Sequence, residues 1–233
     1  MDPLLSAIRR DPLSYFPEVS LRAFGHFRNG YAIRSAMEGK THDWQYDPRK
    51  YWEWLGDRFQ LEGADALNDI SVVSSFSATD IEAFHRYFEL LEEFVQQGDP
   101  RTTPVYWKSE RLDFVDTMKA IRERPSMYLG SSSFRALHAY LLGDERAFRD
   151  LELPPDEGRV KFETFKRWVE LTKNKAMPRP WFKVIEFWSM GIDCGHNPKS
   201  GALSLFFSWL DQYAKEIGED ELFAVKSKPN ESR

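Results

Sequence analysis

Part of this chain occurs twice, and that constrains its fold more than any other feature. Residues 7–30 lie without a gap on residues 120–143, and nine of the 24 pairs are identical. They are Ala7/Ala120, Ile8/Ile121, Arg9/Arg122, Pro12/Pro125, Tyr15/Tyr128, Ser20/Ser133, Arg22/Arg135, Ala23/Ala136 and Gly30/Gly143. Ordinary residue frequencies would give about one or two. Further along, the register slips slowly. Tyr51, Trp54 and Leu55 meet Phe165, Trp168 and Val169 at a shift of 114, and Phe88, Leu91 and Phe94 meet Phe207, Leu210 and Tyr213 at 119. Tandem duplication followed by small loop insertions produces such a drift.

The repeated pattern is helical. Phe84, Phe88, Leu91 and Val95 recur at spacings of three and four, one stripe of an α-helix, and Leu203, Phe206, Phe207 and Leu210 repeat it. Tyr51, Trp54 and Leu55 mark another helix, opened by Asp47 as N-cap and Pro48 in the first turn, with Phe162, Phe165, Trp168 and Val169 as its counterpart. Ser77 with Asp80 resembles a capping box ahead of the long helix that follows. Short helices are expected at residues 4–10 and 114–124, and further ones at 66–74 and 181–189. Only Ser71-Val72-Val73 competes as a strand, and it is too short to build a sheet. The expected fold class is all-α: two tandem degenerate repeats of about five helices each, packed together. Gly-Asp-Pro-Arg-Thr-Thr-Pro breaks both patterns near residues 98–104. The expected organisation is therefore repeat 1 over 1–98, a linker over 99–112 and repeat 2 over 113–218. A polar tail over 219–233 is expected to fray.

Composition narrows the function classes. A single Cys excludes an intramolecular disulfide framework and a Cys-cluster zinc site. No apolar run approaches the roughly 18 residues a membrane span needs, and the opening Met1-Asp2-Pro3-Leu4 lacks the basic and apolar regions of a signal peptide, so a cytoplasmic protein is expected. The net charge of −5 argues against general nucleic-acid binding. No Gly-x-Ser-x-Gly, His-Glu-x-x-His, Walker loop or dinucleotide fingerprint occurs. Neither catalysis, a metal nor a cofactor is expected. Asp193-Cys194-Gly195-His196-Asn197 puts three reactive residue types in one loop, but a metal needs more ligands and a Cys nucleophile needs a base held against it. That loop reads as a helix connection whose Asp193 and His196 can join a contact surface.

The sharpest local motif is Arg122-Glu123-Arg124-Pro125-Ser126-Met127-Tyr128-Leu129-Gly130-Ser131. It looks like the Arg-Pro-Gly-Met-Tyr-Ile-Gly segment of gyrase-type ATPase domains, but no Glu-x-x-x-Asn precedes a later Asp-x-Gly-x-Gly, as that family's signature requires. The residues themselves read as a corner: Pro125 ends a helix, Met127, Tyr128 and Leu129 pin the connection on the core, and Gly130 permits the turn. The motif, followed by an amphipathic helix ending in Gly, resembles small helical bacterial proteins encoded beside polymorphic or type VI secreted antibacterial toxins. The resemblance covers roughly residues 114–143 and, degenerately, 4–30. It implies an immunity protein, an antitoxin that binds a cognate toxin and occludes it, and it carries over no functional residues.

Charge adds a candidate surface. Residues 1–100 carry net −7 and residues 101–233 net +2. Within 62–99, nine carboxylates face only Arg86. Like charges at Glu89, Glu92 and Glu93 repel across one helical turn, which a basic partner would relieve. Glu62, Asp65, Asp69, Glu89, Glu92, Glu93, Asp193 and His196 are accordingly the expected partner-binding residues, for a basic toxin such as a nuclease or another cytoplasm-acting enzyme. Two alternatives remain: a small enzyme with a pocket near Arg9, Arg22, Arg122 and Arg135, or a helical adaptor. Against the enzyme, the four arginines read as structural ion pairs.

Overall fold

A computed structural model of the chain describes residues 2–39, 46–61, 68–97, 113–174, 179–190 and 201–224. Every regular element among these residues is helical. In order they are α1 (Pro3–Arg10), a 3-10 turn at Pro12–Ser14, α2 (Leu21–Met37), α3 (Pro48–Arg58), α4 (Asp69–Ser75) and α5 (Asp80–Gln97). Then come α6 (Phe114–Glu123), α7 (Pro125–Leu129), α8 (Phe134–Asp150), α9 (Glu157–Thr172), α10 (Trp181–Ser189) and α11 (Ala202–Glu216). None of these helices is long and apolar enough to cross a membrane. The Ser71-Val72-Val73 run lies inside α4.

Side-chain caps set most helix starts. Carboxylates of Asp2, Asp47, Asp113 and Asp156 accept the free N–H groups of the first turns of α1, α3, α6 and α9, and Ser20 and Asn68 do so for α2 and α4. The box before α5 differs from the Ser77/Asp80 expectation. Thr79 Oγ1 accepts from the Glu82 N–H at 3.1 Å, and the Glu82 carboxylate reaches back to the Ala78 N–H at 2.9 Å. Ser77 instead donates to the Val73 carbonyl, closing α4.

The helices form two compact units: Met1–Ser109 with Ala139–Leu151, and Glu110–His138 with Glu152–Arg233. This division differs from the repeat boundary by one segment, since most of α8 packs with the first unit. The cause is a close crossing of α2 and α8. A Cβ placed on Gly30 would lie 2.0 Å from the Tyr140 carbonyl oxygen, and one on Gly143 would lie 1.9 Å from that of Phe27. Only hydrogen fits at either position, so the two backbones touch. A buried Arg34 Nε–Asp144 Oδ1 pair at 2.7 Å and a Tyr31–Asp150 hydrogen bond at 3.2 Å fix the register.

The rest of the first unit is an aromatic core. Phe24, Phe84, Phe88 and Tyr87 pack ring on ring, and Tyr51 joins Trp54 and Phe94. Removing each such ring from water contributes about 1.5–3 kcal/mol. The second unit centres on Phe162, Phe165, Trp181, Phe206 and Phe134. Corresponding contacts recur in each unit. Arg9 pairs with Glu92 at 2.5 Å, and Arg122 with Asp211 at 2.6 Å. Trp54 Nε1 donates to Gln97 at 3.1 Å, and Trp168 Nε1 to Glu216 at 2.8 Å. The trio Tyr51, Trp54, Phe94 has its counterpart in Phe165, Trp168, Tyr213.

Two expectations need correction. Met127 does not pin the corner: it is 70% exposed, and of the three motif residues only Leu129 is buried. Gly130 does take the left-handed conformation, at φ 66°. Nor is the chain past residue 218 wholly frayed. Residues 219–224 fold back on the second unit, and Phe223 is 1% exposed, because its ring finds an apolar seat that polarity counts along the sequence do not register.

Candidate partner-binding surface

The residues expected to meet a partner separate into three groups. Glu62, Asp65, Asp193 and His196 lie outside the described residues. Glu89 is exposed on α5. The other three are paired within the molecule, Glu92 and Glu93 at the surface and Asp69 in the interior. Glu92 pairs with Arg9 of α1, and Glu93 with Arg58 of α3 at 3.3 Å. Asp69 is 4% exposed and holds the Arg28 guanidinium through both oxygens.

That last pair is the centre of a buried network. Tyr87 Oη donates to Asp69 at 2.8 Å, and Arg28 donates to the hydroxyls of Tyr87 and Tyr46. Burial pushes the Asp69 carboxyl up, but the Arg28 charge and the hydrogen bonds it receives outweigh that and hold it below the usual carboxylate range. The same burial lifts the Tyr87 hydroxyl well above its ordinary value. With its charge satisfied on every side, Asp69 is a structural group. The charge count over 62–99 left out the cations these three meet, which come from α1, α2 and α3, outside the counted window.

A second concentration of acidic side chains lies in the second unit. An open groove of about 880 Å³ runs past the N-termini of α6 and α9. Asp113 and Asp116 line it from α6, Asp156 and Glu157 from α9, and Glu219, Asp220 and Glu221 from the segment that follows α11. Lys119 and Lys161 are its cations, so the lining carries net −5. Local folding explains part of this. Asp113 and Asp156 are N-caps, accepting from the Asp116 and Arg159 N–H groups at 2.7 and 2.8 Å, and acidic side chains are favoured in first turns by the helix dipole. Lys161 bridges Glu157 at 2.6 Å and Glu219 at 2.5 Å. Those hydrogen bonds raise its ammonium above the ordinary lysine range, so it stays charged. Asp116, Asp220 and Glu221 are exposed. Such a lining can receive lysine and arginine side chains. Among the described residues, no group of three or more His, Cys, Asp or Glu side chains is placed to hold a metal ion.

Sequence reading missed this groove because its carboxylates come from three stretches, at 113–116, 156–157 and 219–221, in a half that is nearly neutral overall. The available signal was the pair of capping aspartates, which marks two helix starts.

The motif residues border a second groove of about 950 Å³, lined by Arg122, Pro125, Ser132 and Ser133 with Arg135, Glu186 and Asp211. Three of the four repeated arginines are in ion pairs: Arg9 and Arg122 as above, and Arg135 with Glu186 at 2.8 Å. Arg22 is exposed. No family model matches this sequence, and neither a curated protein nor a solved structure matches it.

Proposed function

We propose that this protein is an immunity protein, which binds a cognate antibacterial toxin in the cytoplasm and blocks it by occlusion, without catalysis of its own. The observation that carries this reading is the acidic groove between the starts of α6 and α9. Seven carboxylates against two ammonium groups around an open concavity form a receptor for a basic protein surface. The likeness of residues 122–131 to proteins encoded beside secreted toxins supports the same reading. The toxin, on this reading, is a basic enzyme that acts in the cytoplasm, such as a nuclease.

The test is co-expression with the product of the neighbouring gene. A stable one-to-one complex and restored growth of cells making that product are expected. Absence of both a complex and protection would overturn the proposal.

A further inference from the structure

One wall of the acidic groove is not a helix. Residues 219–222 supply three of its carboxylates, and after α11 the chain has only a few backbone hydrogen bonds to hold it. The Glu219 N–H donates to the Ala214 carbonyl at 2.8 Å, and the Ala224 N–H to that of Glu221 at 3.2 Å. Three further anchors come from side chains: the buried Phe223 ring, the Lys161–Glu219 ion pair, and Arg122, whose Nη1 donates to the Phe223 carbonyl at 3.1 Å. Arg122 is itself fixed. Asp211 of α11 accepts both of its terminal nitrogens at 2.6 Å, and its guanidinium lies 5.3 Å from the Phe207 ring centroid. A planar guanidinium held in a fork by one carboxylate keeps its remaining N–H directions defined.

We propose that Arg122, the arginine that opens the corner motif, is the positioning residue of the acidic groove. Clamped by Asp211, it holds the carbonyl of Phe223 and so sets the strap of residues 219–224, with Glu219, Asp220 and Glu221 opposite the caps of α6 and α9. This gives the motif a role in binding although its own side chains do not line the acidic groove. The inference rests on the groove being the receptor surface.

Hydrogen exchange and binding of hexalysine, a cationic probe, test it on the full chain at low salt. In Arg122→Ala, the amides of residues 219–224 are expected to exchange about tenfold faster while those of α9 keep their rate, because a charged hydrogen bond has been lost locally. Arg122→Lys, which can still reach the carbonyl, is expected to restore part of the protection. Hexalysine is expected to bind Arg122→Ala more weakly than wild type. That sign is diagnostic, since removing a positive charge without moving the strap would strengthen binding of a cation. Unchanged exchange at 219–224, or tighter hexalysine binding, overturns the proposal. Should Arg122→Ala not fold, Arg122→Lys and Asp211→Asn carry the same comparison, with loosening confined to the strap as the expected result and no loosening as the contrary one. If hexalysine does not bind wild type, the receptor reading of the groove falls, and the exchange data still decide whether Arg122 holds the strap.

Discussion

His138 shows how far a neighbourhood can move one residue. Its ring stacks on Phe182 at 4.0 Å and meets the edge of Trp181 at 5.5 Å. Burial depresses its pKa to about 4; Glu186 opposes the shift, and Lys183 and Lys166 reinforce it. The imidazole therefore stays neutral in the folded protein down to that pH, while in the unfolded chain it protonates near 6.5. Between those values the unfolded state binds more protons, so stability falls as pH falls from 6.5 towards 4, by up to about 3 kcal/mol. His138→Phe keeps an aromatic ring and removes the proton. Its urea midpoint is expected to drop less than that of wild type between pH 7 and 4, and parallel curves would remove His138 from the acid sensitivity. Local chemistry of this kind is partly legible in sequence: Asp47 caps α3 as its position before Pro48 indicates. Pairing is not legible. Asp69 and Glu93 meet arginines 41 and 35 positions away, and only the fold brings those groups together.

At the level of the helix, hydrophobic spacing locates most of the structure. Residues 181–189 are helical as expected, and the short opening helices fall within a residue of their expected bounds. What spacing cannot show is which helices touch. Gly30 and Gly143 stand out as an identical pair in sequence, yet nothing there says that each lies against the other's helix. The crossing reverses an ordinary rule. In an exposed helix, Gly→Ala adds about 1 kcal/mol of stability. Here the new methyl would meet a carbonyl oxygen, so Gly143→Ala is expected to destabilise by about 1–3 kcal/mol or more, and Gly30→Ala by a similar amount. Thermal melts of the two variants measure this, and a raised Tm in either would show that the helices separate without cost.

At the level of the whole molecule, the net charge of −5 conceals where acidity is usable. The run over 62–99 looks stronger along the chain, but three of its carboxylates pair with arginines of α1, α2 and α3, whereas Asp116, Asp220 and Glu221 stand exposed around one groove. Reversing these three to Lys is expected to slow capture of a basic toxin by about tenfold at low salt and to flatten the salt dependence, with Glu89→Lys changing little. Stopped-flow association rates over a salt series decide it, and the opposite ranking would move the docking face to α5. The reciprocal glycine contact bears on the molecule as a whole too. Gly30 meets the carbonyl of Tyr140 as Gly143 meets that of Phe27, a contact that reads the same from either helix, as in the interface of a symmetric dimer. Because one chain carries both surfaces, their meeting incurs no association entropy and is indifferent to dilution, so the crossing persists at concentrations where an equivalent pair of separate subunits would dissociate.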